Sequence, residues 1–111
     1  MRIFMANMSC VAALFAAGTS SALAADPSDA NKLLKDSKCL KCHSVDKKKD
    51  GPSYKEVAAK HKGKPDAMAK LVKHVSEPSK VEIDGVEEEH GSVKTRDSAR
   101  VNNLVEWILS L

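Results

Sequence analysis

The chain has 111 residues, enough for one small domain and no more. Its 18 basic and 15 acidic residues leave a formal net charge of only +3, too balanced for a nucleic-acid-binding protein. No apolar run is long enough to span a bilayer core of ~30 Å, which excludes an integral membrane protein.

Residues 1–24 differ from the rest. Arg2 is their only charged side chain, an apolar run covers residues 10–17, and Ala22-Leu23-Ala24 places small residues where a signal peptidase cuts. This is the pattern of a secretory signal peptide. Asn7, three positions before Cys10, is not the apolar residue that a lipoprotein signal needs. Two segments are therefore expected: a signal peptide, 1–24, and an exported, periplasmic domain, 25–111. The second segment keeps only Tyr54 and Trp107 as aromatics and Met68 as its one methionine. So small a domain with so few large apolar side chains calls for a staple, a metal or a cofactor.

Four helices are predicted, with no strand. The first starts at Asp26-Pro27, a capping residue followed by a proline suited to the first helical turn. Its apolar residues Ala30, Leu33 and Leu34 share a face, and the pattern carries on through Ser37-Lys38-Cys39. A loop, 43–52, holds Lys47-Lys48-Lys49 and Gly51-Pro52. The second helix opens on the capping box Ser53-Tyr54-Lys55-Glu56, aligns Tyr54, Val57, Ala58 and His61, and stops near Gly63. The third follows Pro65, carries the stripe Met68, Leu71, Val72 and Val75, and ends before Pro78; His74 lies off the stripe and is expected in solvent. Residues 76–94 read as a long acidic loop, with a short extended piece possible where Val81, Ile83 and Val86 alternate. A loop of this length in a small domain is usually functional. The fourth helix, from about Asp97 to Leu111, buries Val101, Leu104, Val105, Ile108 and Leu111, with Trp107 on its shoulder.

Cys39-Leu40-Lys41-Cys42-His43 is the C-x-x-C-H attachment motif of haem c. Two thiols a turn apart can each form a thioether with one porphyrin, and the next residue, His43, can set its imidazole under the iron. A disulfide closing so short a loop would constrain little of the unfolded chain. A thioredoxin-like pair would need a strand before Cys39, and a zinc site would need two more ligands at suitable spacing.

The chain resembles the small single-haem bacterial class I c-type cytochromes over essentially all of 25–111. The resemblance rests on the helix leading into Cys39–His43, on Gly51-Pro52 with Tyr54, and on the terminal helix ending Val105-Glu106-Trp107-Ile108-Leu109-Ser110-Leu111. It implies an all-α cytochrome c-like fold of about four helices around one haem c attached through Cys39 and Cys42. It further implies that the first and last helices cross, and that the carbonyl of Pro52 holds the N–H of His43.

Relatives usually supply a sixth iron ligand, a methionine, from the loop before the last helix. This chain has none there. Met68 belongs to a helical stripe and comes too early; Lys80 or Lys94 could bind only if deprotonated. His90 occupies the expected region and is the predicted distal ligand, facing His43 across the iron. The expected function is a non-enzymatic single-electron carrier with transient redox partners. The lysines at 41, 47, 48, 49, 55, 60, 62 and 64 could steer an acidic partner. The alternative is a haem protein that binds a small gas at an open or labile sixth position.

Overall fold

The computed structural model describes residues 24–111. The predicted signal segment, apart from Ala24, lies outside the described residues. Helix α1 (Pro27–Asp36) begins where expected: the Asp26 carboxylate accepts from the backbone N–H of Ser28 at 2.9 Å and of Asp29 at 3.4 Å. Those bonds satisfy donors that have no partner inside the helix. Ala30, Leu33 and Leu34 are buried against α4 (Ser98–Leu109), which contributes Val101, Leu104, Val105, Trp107 and Ile108. Each fully buried leucine adds about 1.5–3 kcal/mol, so this helix pair forms the main apolar contact. Polar groups fix its register. The Asp26 N–H donates to Asn103 Oδ1 at 2.7 Å, and Asn103 Nδ2 donates back to the Asp26 carbonyl at 2.9 Å. Arg100 pairs with Asp29 at 3.0 Å.

The first helix does not run on through Ser37–Cys39 as its pattern suggests. It stops at Asp36, and Lys38 takes the left-handed conformation at φ 60°. That residue redirects the chain into a 3₁₀ turn, Cys39–Lys41. Helix α2 (Tyr54–His61) carries the reciprocal capping box, with Ser53 and Glu56 each bonding the other's backbone N–H at 3.1 and 3.0 Å. The chain leaves α2 through Gly63 at φ 80°, a conformation that costs glycine little.

Helix α3 (Ala67–Ser76) buries Ala67 and Leu71, while Val72 and Val75 pack on the margin of the core. Met68 is only half-buried: its neighbour Ala67 takes the inner position that the stripe assigned to it.

The segment 76–94 is not an irregular loop. Strands β1 (Ser79–Ile83) and β2 (Val86–His90) form an antiparallel hairpin in which Ser79 pairs with His90 and Ile83 with Val86. Asp84 and Gly85 turn it, both at positive φ, 51° and 79°. Such a turn matches the natural twist of the strands. Glu82 stands directly opposite Glu87, and Lys80 relieves this repulsion with an ion pair to Glu87 at 2.9 Å. Two bonds then anchor the chain leaving β2. The Val93 N–H donates to the Val75 carbonyl at 2.8 Å, and the Lys94 N–H to Ser37 Oγ at 2.9 Å. The hairpin's exit is thus held between α3 and the end of α1. Trp107 is buried rather than on a shoulder, 8 % exposed, with its ring edge to that of Tyr54.

Candidate functional site

The 3₁₀ turn brings Cys39 and Cys42 to one side of the chain. The Cys42 N–H donates to the Cys39 carbonyl at 3.3 Å, and the His43 N–H to the same oxygen at 3.0 Å. Both thiols are free and half-buried. Burial pushes the Cys39 thiol above its usual pKa, against hydrogen bonds from its own backbone and from Tyr54.

Four backbone bonds shape the loop after the turn. The Gly51 N–H donates to the Cys42 carbonyl at 2.8 Å, and the Lys49 N–H to the Gly51 carbonyl at 3.1 Å. The Tyr54 and Lys55 N–H groups donate to the carbonyls of Ser44 and Val45, at 2.9 and 3.1 Å. The result wraps the chain around the His43 ring. A β-carbon on Gly51 would fall 2.5 Å from His43 Cε1, so only glycine leaves the imidazole its place. Tyr54 stacks on the ring at 5.1 Å between centroids. His43 Nδ1 lies 2.7 Å from the Pro52 carbonyl oxygen. That oxygen can only accept, so Nδ1 carries the hydrogen, and in the neutral ring the Nε2 lone pair stays free to bind a metal.

The hairpin delivers a second imidazole to the same place. His90, the last residue of β2, has its ring centroid 6.2 Å from that of His43, at an interplanar angle of 67°. With metal–imidazole nitrogen bonds of about 2.0–2.1 Å, two rings facing each other across one metal ion have centroids about 6 Å apart. His90 Nδ1 is buried and has no hydrogen-bond partner. Burial, then the nearby His74 and His43, hold the His90 imidazole below its ordinary pKa, against a weak backbone contact with Gly91. A neutral ring is the form that can donate a lone pair to iron. These observations make the donor set compatible with a haem: two thiols for attachment and two imidazoles.

His74 is exposed, as its place off the stripe predicts, yet one side of it meets this site. Its ring lies 4.1 Å from that of His90 and is tilted by 34°. Burial comes first among the causes that lower its pKa, followed by His43 and His61. The contact follows from the hairpin register, which returns His90 beside Ser79 just past the end of α3, and from the Val93 N–H bond to the Val75 carbonyl; no helical periodicity encodes it.

The remaining candidates lie elsewhere. Lys80 is engaged with Glu87, and Lys94 is exposed. The lysines at 41, 47, 48, 49, 55, 60, 62 and 64 are all exposed. Three of them are tied down. Lys49 Nζ donates to the Leu40 carbonyl at 2.8 Å, Lys55 pairs with Asp46 at 2.6 Å, and Lys62 Nζ donates to the Leu111 carbonyl at 2.7 Å. Among the described residues, no helix is long and apolar enough to cross a membrane.

Comparison with known proteins gives consistent matches. The family described as Cytochrome c matches residues 28–111. Cytochrome c-551 of Stutzerimonas stutzeri is 39% identical over 93 residues, 81% of this chain and 86% of that protein. Cytochrome c-551 of Pseudomonas aeruginosa is 33% identical over 97 residues, 87% and 90% of the two chains. Among solved structures, the class 1 cytochrome MtoD of Sideroxydans lithotrophicus ES-1 superposes with a TM-score of 0.74 at 49% identity. That match covers 78% of this chain and 97% of the other.

Proposed function

The chain belongs to the cytochrome c family as a small class I c-type cytochrome, an electron-transfer protein with covalent haem c, and from that premise we propose that it shuttles single electrons in the periplasm with two axial histidines. Cys39 and Cys42 hold the haem, His43 is the proximal ligand and His90 the distal one. When bound, the haem supplies one-electron exchange between ferric and ferrous iron. The protein performs no bond chemistry of its own. The observation that carries the reading is the 6.2 Å separation of the His43 and His90 rings.

The residues divide the work. The Pro52 carbonyl fixes the tautomer and orientation of His43, and an N–H···O bond there raises its basicity as a ligand. Tyr54, stacked on the ring, and the absent side chain of Gly51 set the ring's position. The anchors at Val93 and Lys94 hold the exit of the hairpin, and so His90, against displacement. Two fixed ligands suit a carrier, because little rearranges when the iron changes charge. Periplasmic residence and the boundary at residue 24 rest on the signal pattern of residues 1–24. The exposed lysines on the segments flanking the cysteines support docking to acidic redox partners. Such encounters are steered by charge and bury little surface.

A spectroelectrochemical titration tests the carrier reading. One reversible one-electron wave is expected, with low-spin spectra at both ends and the same midpoint in both directions. Hysteresis, or a change of spin state on reduction, would mean that a ligand leaves with the redox change and would contradict it.

A further inference from the structure

We propose that Ser79 is a positioning residue for the distal imidazole, its hydroxyl accepting the Nδ1–H of His90. This rests on the reading of His90 as distal ligand. The register pairs Ser79 with His90 at the open end of the hairpin. Residues directly opposed in an antiparallel pair project to the same face, with β-carbons about 4.5–5.5 Å apart. Ser79 Oγ and His90 Nδ1 are the two buried side-chain polar atoms without a hydrogen-bond partner among the described residues.

Two facing orphans are more than a coincidence of register. A histidine that binds iron through Nε2 carries its hydrogen on Nδ1, and that N–H almost always has an acceptor. On the proximal side the acceptor is the Pro52 carbonyl, 2.7 Å from His43 Nδ1. On the distal side the Gly91 backbone touches the ring without reaching hydrogen-bond geometry. A serine hydroxyl rotates freely and has two acceptor lone pairs, so Ser79 Oγ has the chemistry to take this hydrogen. The ring of His74 lies tilted against the same ring at 4.1 Å, and His90 Nδ1 has no partner there. Each axial imidazole is then held through Nδ1 by an oxygen, a backbone carbonyl on one side and a side-chain hydroxyl on the other.

The test uses the haem-loaded protein and the variants Ser79→Ala, Ser79→Thr, Ser79→Val and His90→Ala/His74→Ala. Thr and Val form a pair of matched shape that differ in the hydroxyl, so a folding defect in the alanine variant does not decide the matter. The readouts are the midpoint potential and the apparent affinity of the ferrous protein for carbon monoxide, which competes with His90. Losing the bond makes the imidazole a weaker donor. Ser79→Ala and Ser79→Val are therefore expected to raise the midpoint and tighten carbon monoxide binding about 10-fold, the lower end for lost outer-shell partners. Ser79→Thr should match the wild type. Wild-type behaviour in all three serine variants would assign Nδ1 to the Gly91 backbone and overturn the proposal. An equal shift in all three, threonine included, would mark a packing effect and overturn it too. If His90→Ala/His74→Ala still gave a low-spin ferrous spectrum unmoved by carbon monoxide, the ligand assignment itself would fail, separately from the role of Ser79.

Discussion

Replacing His90 with alanine, together with His74→Ala, is expected to turn the ferrous protein from a carbon monoxide-inert species into a carbon monoxide binder. The double change is needed because His74 lies 4.1 Å from His90 and could move into its place. A bound sixth ligand lowers the apparent affinity for an exogenous ligand by the fraction of time the position is open. For an opening populated between 0.1 and 10%, the variant should gain about 10- to 1,000-fold in affinity. Its ferric spectrum should become high-spin. Optical titration of the ferrous protein with carbon monoxide reads the affinity, and the optical spectrum of the ferric protein reads the spin state. An unaltered low-spin spectrum would remove His90 from the iron. The same logic sets the direction of the potential. Imidazole donates to iron more strongly than a thioether and favours the ferric state, so the wild type should titrate below methionine-ligated relatives.

Leu104→Ala should be the most damaging substitution outside the site. Leu104 is fully buried in α4 against α1, and a truncated leucine in such a position costs about 2–5 kcal/mol. The total stability of a domain is about 5–15 kcal/mol. For a domain of this size each kcal/mol lowers Tm by about 4–8 °C, so a fall of at least about 8 °C is expected. Thermal unfolding followed by circular dichroism measures it on the haem-loaded protein. A change below about 1 kcal/mol would mean that the α1–α4 contact closes over the lost volume and is not the principal core.

The helices were legible because each carries both a boundary signal and a face. Asp26-Pro27, the box Ser53–Glu56 and Asp97 mark starts that the backbone follows. The apolar face of α4 is buried as its 3.6-residue period requires. The attachment turn was legible as a motif, although the left-handed Lys38 that sets it off from α1 was not. A lysine offers no local reason to adopt that conformation; the turn that follows imposes it. The hairpin was missed for a different reason. Glu82, Glu87, Glu88 and Glu89 lower the strand tendency of a segment whose apolar alternation is short. Asp84-Gly85, a strong two-residue hairpin signal, could have found it. Placing His90 opposite Ser79 follows at once from that turn, because a two-residue connection fixes the register of the whole pair. The contact of His74 with His90 depends also on the bond from Val93 to the end of α3, which no local pattern encodes. The pairing of His43 with Pro52 came from the family resemblance and not from any pattern in the chain.

With a protein imidazole on each side of the iron, no position is open to an added ligand. The decisive measurement is the optical spectrum of the purified ferrous wild-type protein, recorded before and after saturation with carbon monoxide. A low-spin spectrum that carbon monoxide leaves unmoved is the predicted result. Ready formation of a carbon monoxide complex by the wild type would mean an open or labile sixth position. It would contradict the two-histidine carrier and favour a protein built to bind a small gas.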